Sequence, residues 1–469
     1  MNINLEELSN IIAREVAATY FLGKYYFAVN TGRSRAHFGL SPRDQISLDI
    51  QRRMQRENET PMFHEYIHYV HEISTVVGNV GLAIELTLKS IFSHYFNSDL
   101  ASSVNYGLNI RDTRFEGVLK MHLAREVING SIEMDAKLLS IKRIKLIKSS
   151  VFIPHDNGFS ETEIEIPEIT THVFEDGKYK DKHLLLGKFF IYEGIAYELD
   201  REFDRQRNSR ANINDSLRRS EYTYLRLVAD YLCPGIEKKV FLSVASLSLS
   251  YLDCGAMFVR FLKDISQLGN SPDAVQNYLN VKRSEVSTIL LEKLGDFNGA
   301  QDEIIKVFDK RPRLKKAFTT ICESAKGAYL VRAEQPTFEV DLVFNGNYQM
   351  LFDLVNICDY MYVFTDHDEF DRDFLGTTQV DEDASQATKV LVAYDHYQKA
   401  HELASTQTIE MKGGAKCPFY TSCNLPLRLD NEQTCARQPW RIFEVSTMTD
   451  RQYCWYGQAI GEFKGHTER

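Results

Sequence analysis

The 469-residue sequence predicts a mainly α protein of the α+β class, and three observations carry that reading. Apolar residues recur at helical spacing over most of the chain, while one stretch near 139–180 alternates with a period of two. Hydrophobic residues make up 43% and charged residues 26%, the balance of a chain that builds a packed interior. A chain this long exceeds one small core, so two domains are expected: 1–300, carrying a small β-rich insertion, and 301–469, a helical and irregular C-terminal region with a cysteine-bearing tail.

Helical periodicity marks segments near 5–28, 41–57, 61–76, 80–95, 184–206 and 216–232. Between them, VFIP, EIEIPEITTHVF and the turn Glu175-Asp176-Gly177 read as strands and a hairpin. Further helices are expected over 236–333, then a mixed segment with TFEVDLVF, a helix around 384–404 and the irregular tail. The paired glycines of Met411-Lys412-Gly413-Gly414-Ala415-Lys416 suit a linker.

A net charge of −10 and a pI near 5.8 give no broad positive field, so nucleic acid is not an expected partner. Lys142, Arg143, Lys145 and Lys148 alternate with apolar residues and read as one solvated face of an amphipathic segment. Residues 240–262 form the most apolar stretch. Asp253, Arg260 and four serines interrupt it, which favours a buried core helix over a membrane span of about 20 apolar residues. Glu6, Glu7 and Arg14 depart from the plan of a secretory signal, so the expectation is a cytoplasmic protein with reduced thiols and no membrane association.

The chemistry concentrates in Thr60-Pro61-Met62-Phe63-His64-Glu65-Tyr66-Ile67-His68. Threonine at the cap and proline at the first helical position start a helix there. His64 and His68 then share one face, one turn apart, close enough for both imidazoles to reach one zinc ion. Glu65 projects beside that ion, placed as the general base that accepts a proton from water. His71 lies about 10 Å along the axis from His64, too far for one shared ion, although His68 and His71 could chelate as a pair instead.

A catalytic zinc site takes a third protein ligand from another element. Glu193 is the best candidate, because a carboxylate within Phe189-Phe190-Ile191-Tyr192-Glu193-Gly194-Ile195-Ala196-Tyr197-Glu198 is costly to bury without a counter-charge. His172 and His183 are rivals, and pairing of Glu193 with Arg201 is the plain alternative. The small Gly194 and Ala196 are expected to let this helix lie close against the histidine helix.

His64-Glu65-xx-His68 followed by Glu193-Gly194-Ile195-Ala196 resembles the gluzincin class of zinc metallopeptidases. The resemblance implies a zincin-like domain within 1–300, a catalytic Zn²⁺, a peptide or protein substrate, and an oxyanion donor for which Tyr222 and Tyr224 are the nearest candidates. Position 197 is a tyrosine where some members carry an aspartate that orients a ligand histidine, leaving Glu72, Glu198 and Asp200 as candidates for that work. Arg226 is read either as a clamp for a substrate carboxylate or as a partner of Asp230.

Cys417, Cys423, Cys435 and Cys454 gather in the tail, where four thiolates can hold a second zinc or an iron–sulfur cluster. Buried free thiols and a redox disulfide are the alternatives. The leading functional expectation is a zinc metallopeptidase; the others are a non-catalytic metal-binding regulator and a zinc hydrolase of a small amide or ester.

Overall fold

The computed structural model describes residues 18–20, 26–29, 63–96, 108–109, 116–132, 137–155, 158–207, 220–269, 271–346, 361–365, 374–375, 382–403, 416–420, 423, 425–442 and 454–463. Among them the architecture is mostly helical with small sheets, an α+β arrangement. In chain order the elements before the hairpin region are β1 (Ala18–Tyr20), β2 (Tyr26–Val29), α1 (63–74), α2 (Val76–Phe96), β3 (Leu108–Asn109) and α3 (Glu116–Asn129). The helical periodicity near 5–28 thus gives way to two short strands at its end, where β2 pairs antiparallel with β1 and parallel with a strand more than 300 residues on. Sheet partners so remote leave no local trace in the sequence. The segments at 41–57 and 411–415 lie outside the described residues.

The β-rich stretch becomes one three-stranded antiparallel sheet of β4 (Lys137–His155), β5 (Gly158–Glu175) and β6 (Lys178–Leu185). Asp176 (φ 53°) and Gly177 (φ 75°) both take the left-handed region, which a two-residue hairpin loop requires for its twist to match the strands. Along β5 the residues Ile164, Ile166, Ile169 and Val173 face inward, with the phase shifting at Pro167. Lys142, Arg143, Lys145 and Lys148 are exposed on β4, as a solvated face should be.

Six helices follow: α4 (Lys188–Arg207), α5 (Ser220–Leu232), α6 (Lys238–Ser248), α7 (Cys254–Gln267), α8 (Pro272–Lys306) and α9 (Pro312–Glu334). The apolar stretch at 240–262 is buried, but it makes two helices rather than one. Serine hydroxyls bond back to the chain there, Ser248 Oγ donating to the Ala245 carbonyl at 2.7 Å, and such bonds compete with helix continuation. The length and apolarity needed to cross a membrane occur instead in Val76–Ser93 of α2, of which 78% is buried inside the protein. Helix α8 runs through residue 300, so the expected division of the chain falls inside a continuous 35-residue helix.

The remaining elements are α10 (Phe338–Asn345), β7 (Met361–Thr365), β8 (Phe374–Leu375), α11 (Glu382–His401), β9 (Glu402–Leu403), α12 (Pro426–Asp430), α13 (Glu432–Arg437) and α14 (Trp455–Phe463). The TFEVDLVF segment is the helix α10. One buried apolar cluster runs from Phe63 to Ile460 and includes residues of most helices. The last helix is tied in by Glu462, whose two carboxylate oxygens accept from the Arg313 and Leu314 backbone N–H groups at 3.0 and 3.1 Å. These are unsatisfied donors at the start of α9, so the C-terminal region caps a helix of the main body.

Candidate metal centre

Helix α1 is buried along its whole length. Phe63, Ile67 and Val70 are fully buried in the core, and Phe63 stacks on Phe203 of α4 with ring centroids 4.6 Å apart. That contact sets α1 beside α4 and turns His64 and His68 toward it. Their Nε2 atoms stand 3.1 Å apart. From α4, Glu193 brings Oε2 to 3.4 Å from His64 Nε2 and 3.5 Å from His68 Nε2.

The side chains of this triangle fit a zinc ion. With Zn–ligand bonds of about 2.0–2.1 Å, tetrahedral geometry separates neighbouring donors by about 3.3–3.4 Å. The observed edges of 3.1, 3.4 and 3.5 Å bracket that value. Among the described residues, this is the donor set of three whose ligand atoms lie within 4.8 Å of one another.

Asp200 completes the centre. It lies seven residues after Glu193, two helical turns along the same face of α4, and its Oδ2 sits 2.8 Å from His64 Nδ1. Accepting a proton from Nδ1 leaves the Nε2 lone pair for a metal. Burial alone would lower the His64 pKa, but the Asp200 and Glu193 carboxylates overcome it and hold the imidazole well above its ordinary value. For Glu193, burial pushes upward, and the neighbouring His68 and His64 pull it far below the usual carboxylate range. The pocket therefore presents an ionised carboxylate to whatever cation it receives.

Glu65 is 8% exposed, and its charge acts on His64. Tyr222 packs its ring edge-on to His64 at a centroid separation of 5.6 Å and stacks on Tyr197 at 5.3 Å, whose hydroxyl accepts from Arg201 at 2.7 Å. Tyr224 does not join it. Two residues apart on a helix is about 200° of rotation, so Tyr224 points the other way, fully buried against Phe190, with its hydroxyl toward Thr171 of β5.

Several other expectations resolve differently. Gly194 makes room not for α1 but for α5: a Cβ there would stand 2.6 Å from Leu225 Cβ. His71 turns its Nε2 to Glu339 Oε1 at 3.2 Å and is not part of the compact donor set, which pairs His68 with His64 and Glu193 instead. His172 and His183 sit on the hairpin, beside Asp181 and Thr170 respectively. Glu72 pairs with Lys188 at 2.6 Å and Glu198 with Lys238 at 2.7 Å, leaving Asp200 to orient the histidine. Arg226 pairs with Asp230 at 3.0 Å.

Beneath the centre lies a buried network that sequence reading missed. Glu339 of α10 accepts from Ser246 at 2.6 Å and pairs with Arg332 at 3.1 Å, and Arg332 also donates to Ser74 Oγ at 2.8 Å. An available signal was the carboxylate inside the apolar run TFEVDLVF, the same signal that exposed Glu193. At the other end of the chain, Cys417, Cys423, Cys435 and Cys454 line one cavity to which no residue of the histidine centre contributes.

Neither a family model, a curated protein nor a solved structure matches this chain.

Proposed function

We propose that this protein is a zinc-dependent hydrolase of the metallopeptidase type, with a zincin-like centre on His64, His68 and Glu193. The observation that supports this reading is the donor triangle of α1 and α4, whose edges suit one tetrahedral ion, with the Asp200 carboxylate fixing the His64 tautomer. Zinc bound there supplies a Lewis acid that polarises a carbonyl and makes water more acidic.

The chain's own residues supply the rest. Glu65 accepts a proton from the attacking water and delivers it to the leaving nitrogen, so that hydroxyl ends on the carbonyl carbon and hydrogen on the amine. Tyr222, whose ring packs edge-on to His64, is the residue we assign as oxyanion donor. Asp200 keeps the proton of His64 on Nδ1 throughout. The proposed substrate is a peptide or protein.

Replacing Glu65 by Gln keeps the size of the side chain and removes the base. The Glu65→Gln protein is expected to bind zinc in about one equivalent and to cleave peptides roughly 10²–10⁴-fold more slowly. Equal single-turnover rates for parent and variant would refute the role of Glu65, and a purified parent that takes up no zinc would refute the centre itself.

A further inference from the structure

The cysteine tail folds into a second site of different chemistry. Cys417 and Cys423 come from the stretch before α12, Cys435 from α13 and Cys454 from the position just before α14, and all four line one cavity. The rest of that wall is nearly all apolar. The described cysteines are free thiols, so no disulfide links these four.

Their arrangement favours thiolate ligands. The Gly457 N–H points to Cys454 Sγ at 3.4 Å, and the Cys417 and Cys454 sulfurs also accept from the backbone N–H groups of Phe419 and Tyr456. Such N–H···S bonds stabilise metal-bound sulfur and tune its potential. Cys454 additionally precedes the first turn of α14, where the helix dipole favours negative charge. Arg428 reaches the same cavity and offsets charge there.

Spacing separates two kinds of metal site. A single zinc ion, with Zn–S about 2.3 Å, draws four sulfurs to about 3.8 Å from one another. Here no three of the sulfurs fall within 4.8 Å, although each of the four is near enough to influence the others. Sulfurs held around a common cavity but farther apart than one ion allows leave room for an inorganic core between them. The intervals between the cysteines, five, eleven and eighteen residues, also contain no paired CxxC knuckle of the kind structural zinc sites use.

We propose that Cys417, Cys423, Cys435 and Cys454 hold an iron–sulfur cluster, which pins the C-terminal segment to the helical body. The proposal stands apart from the zinc reading of the histidine centre.

The test uses the full chain, purified anaerobically and reconstituted with ferrous iron, sulfide and a thiol reductant. Iron and acid-labile sulfide are expected in equal amounts, about two to four of each per chain, with broad visible absorption that bleaches on reduction. Cys435→Ser and Cys454→Ser should lose the iron and the colour, Cys322→Ser in α9 should keep both, and His64→Ala should keep both whatever becomes of zinc. Should the cysteine variants fail to fold, the parent still decides: loaded protein should protect four thiols from alkylation until a chelator is added. A reconstituted parent without iron or sulfide would overturn the proposal. So would sulfur-coordinated zinc that disappears in Cys435→Ser.

Discussion

Asp200 binds the Nδ1 proton of His64 at 2.8 Å and thereby decides which ring nitrogen faces Glu193. Asp200→Ala is expected to weaken zinc binding about 10–100-fold, measured by competition with a chromophoric chelator, while Asp200→Asn, whose amide oxygen still accepts, should lose less. Unchanged affinity in the alanine variant would remove Asp200 from the centre. The two tyrosines give a paired contrast. Tyr222→Phe should lower kcat roughly 10²-fold, whereas Tyr224→Phe should leave the rate near that of the parent, since its ring lies against Phe190 and its hydroxyl points to Thr171 of β5 rather than to the histidines. Equal losses in both would show that the effect is structural. Sequence periodicity separated these residues in principle, because two positions along a helix never share a face, but only the packing of α5 showed which one met His64.

At the scale of elements, α4 is the hinge of the arrangement: it carries Glu193 and Asp200 on one side and receives α5 on another. Gly194 is where α5 comes closest, with the Leu225 side chain filling the space a Cβ would take. Gly194→Ala should therefore destabilise the protein by about 1–3 kcal/mol through overpacking, read from urea unfolding, despite alanine's better helix propensity. A stabilised variant would mean that Leu225 yields freely. The glycine was conspicuous in the sequence and its role in close packing was readable, but not its partner. Propensity describes a helix's own backbone and says nothing about which neighbour arrives. The hairpin of β5 and β6 behaved differently: Asp176-Gly177 specifies its turn chemistry locally, and the structure follows it.

For the whole molecule, the buried group of His71, Glu339, Arg332 and Ser246 joins α1, α6, α9 and α10 beneath the metal centre. Arg332 and Glu339 are both fully buried, so removing one charge leaves the other stranded. Arg332→Met should cost about 3–5 kcal/mol, and Arg332→Met with Glu339→Leu should recover much of it; additive losses in the double variant would argue against the pairing. His71 adds a pH dependence. Burial pushes its imidazole down to about 4 from an ordinary 6.5, with Glu339 opposing the shift. As pH falls the unfolded chain takes the proton first, so this contribution is whole above 6.5 and is lost between 6.5 and 4. It amounts to roughly 3 kcal/mol. Denaturant titrations of the parent should steepen over that window relative to His71→Asn, and identical profiles would contradict the assignment.

The sequence by itself determined what depends on near neighbours. It set two histidines on one helical face with a glutamate beside them, a carboxylate in an apolar helix, the turn of a hairpin and a mainly helical composition, since spacing along a helix or strand converts directly into direction. Only the tertiary structure decided how far-separated segments meet. It brought Glu193 to within 3.5 Å of both histidines across more than a hundred residues, assigned Asp200 over Glu72 and Glu198, and took His71 away to Glu339. It also ran α8 through the expected domain division and gathered four scattered cysteines around one cavity. Contacts of that range are fixed by the packing of buried side chains from many elements at once, and no local pattern encodes the outcome.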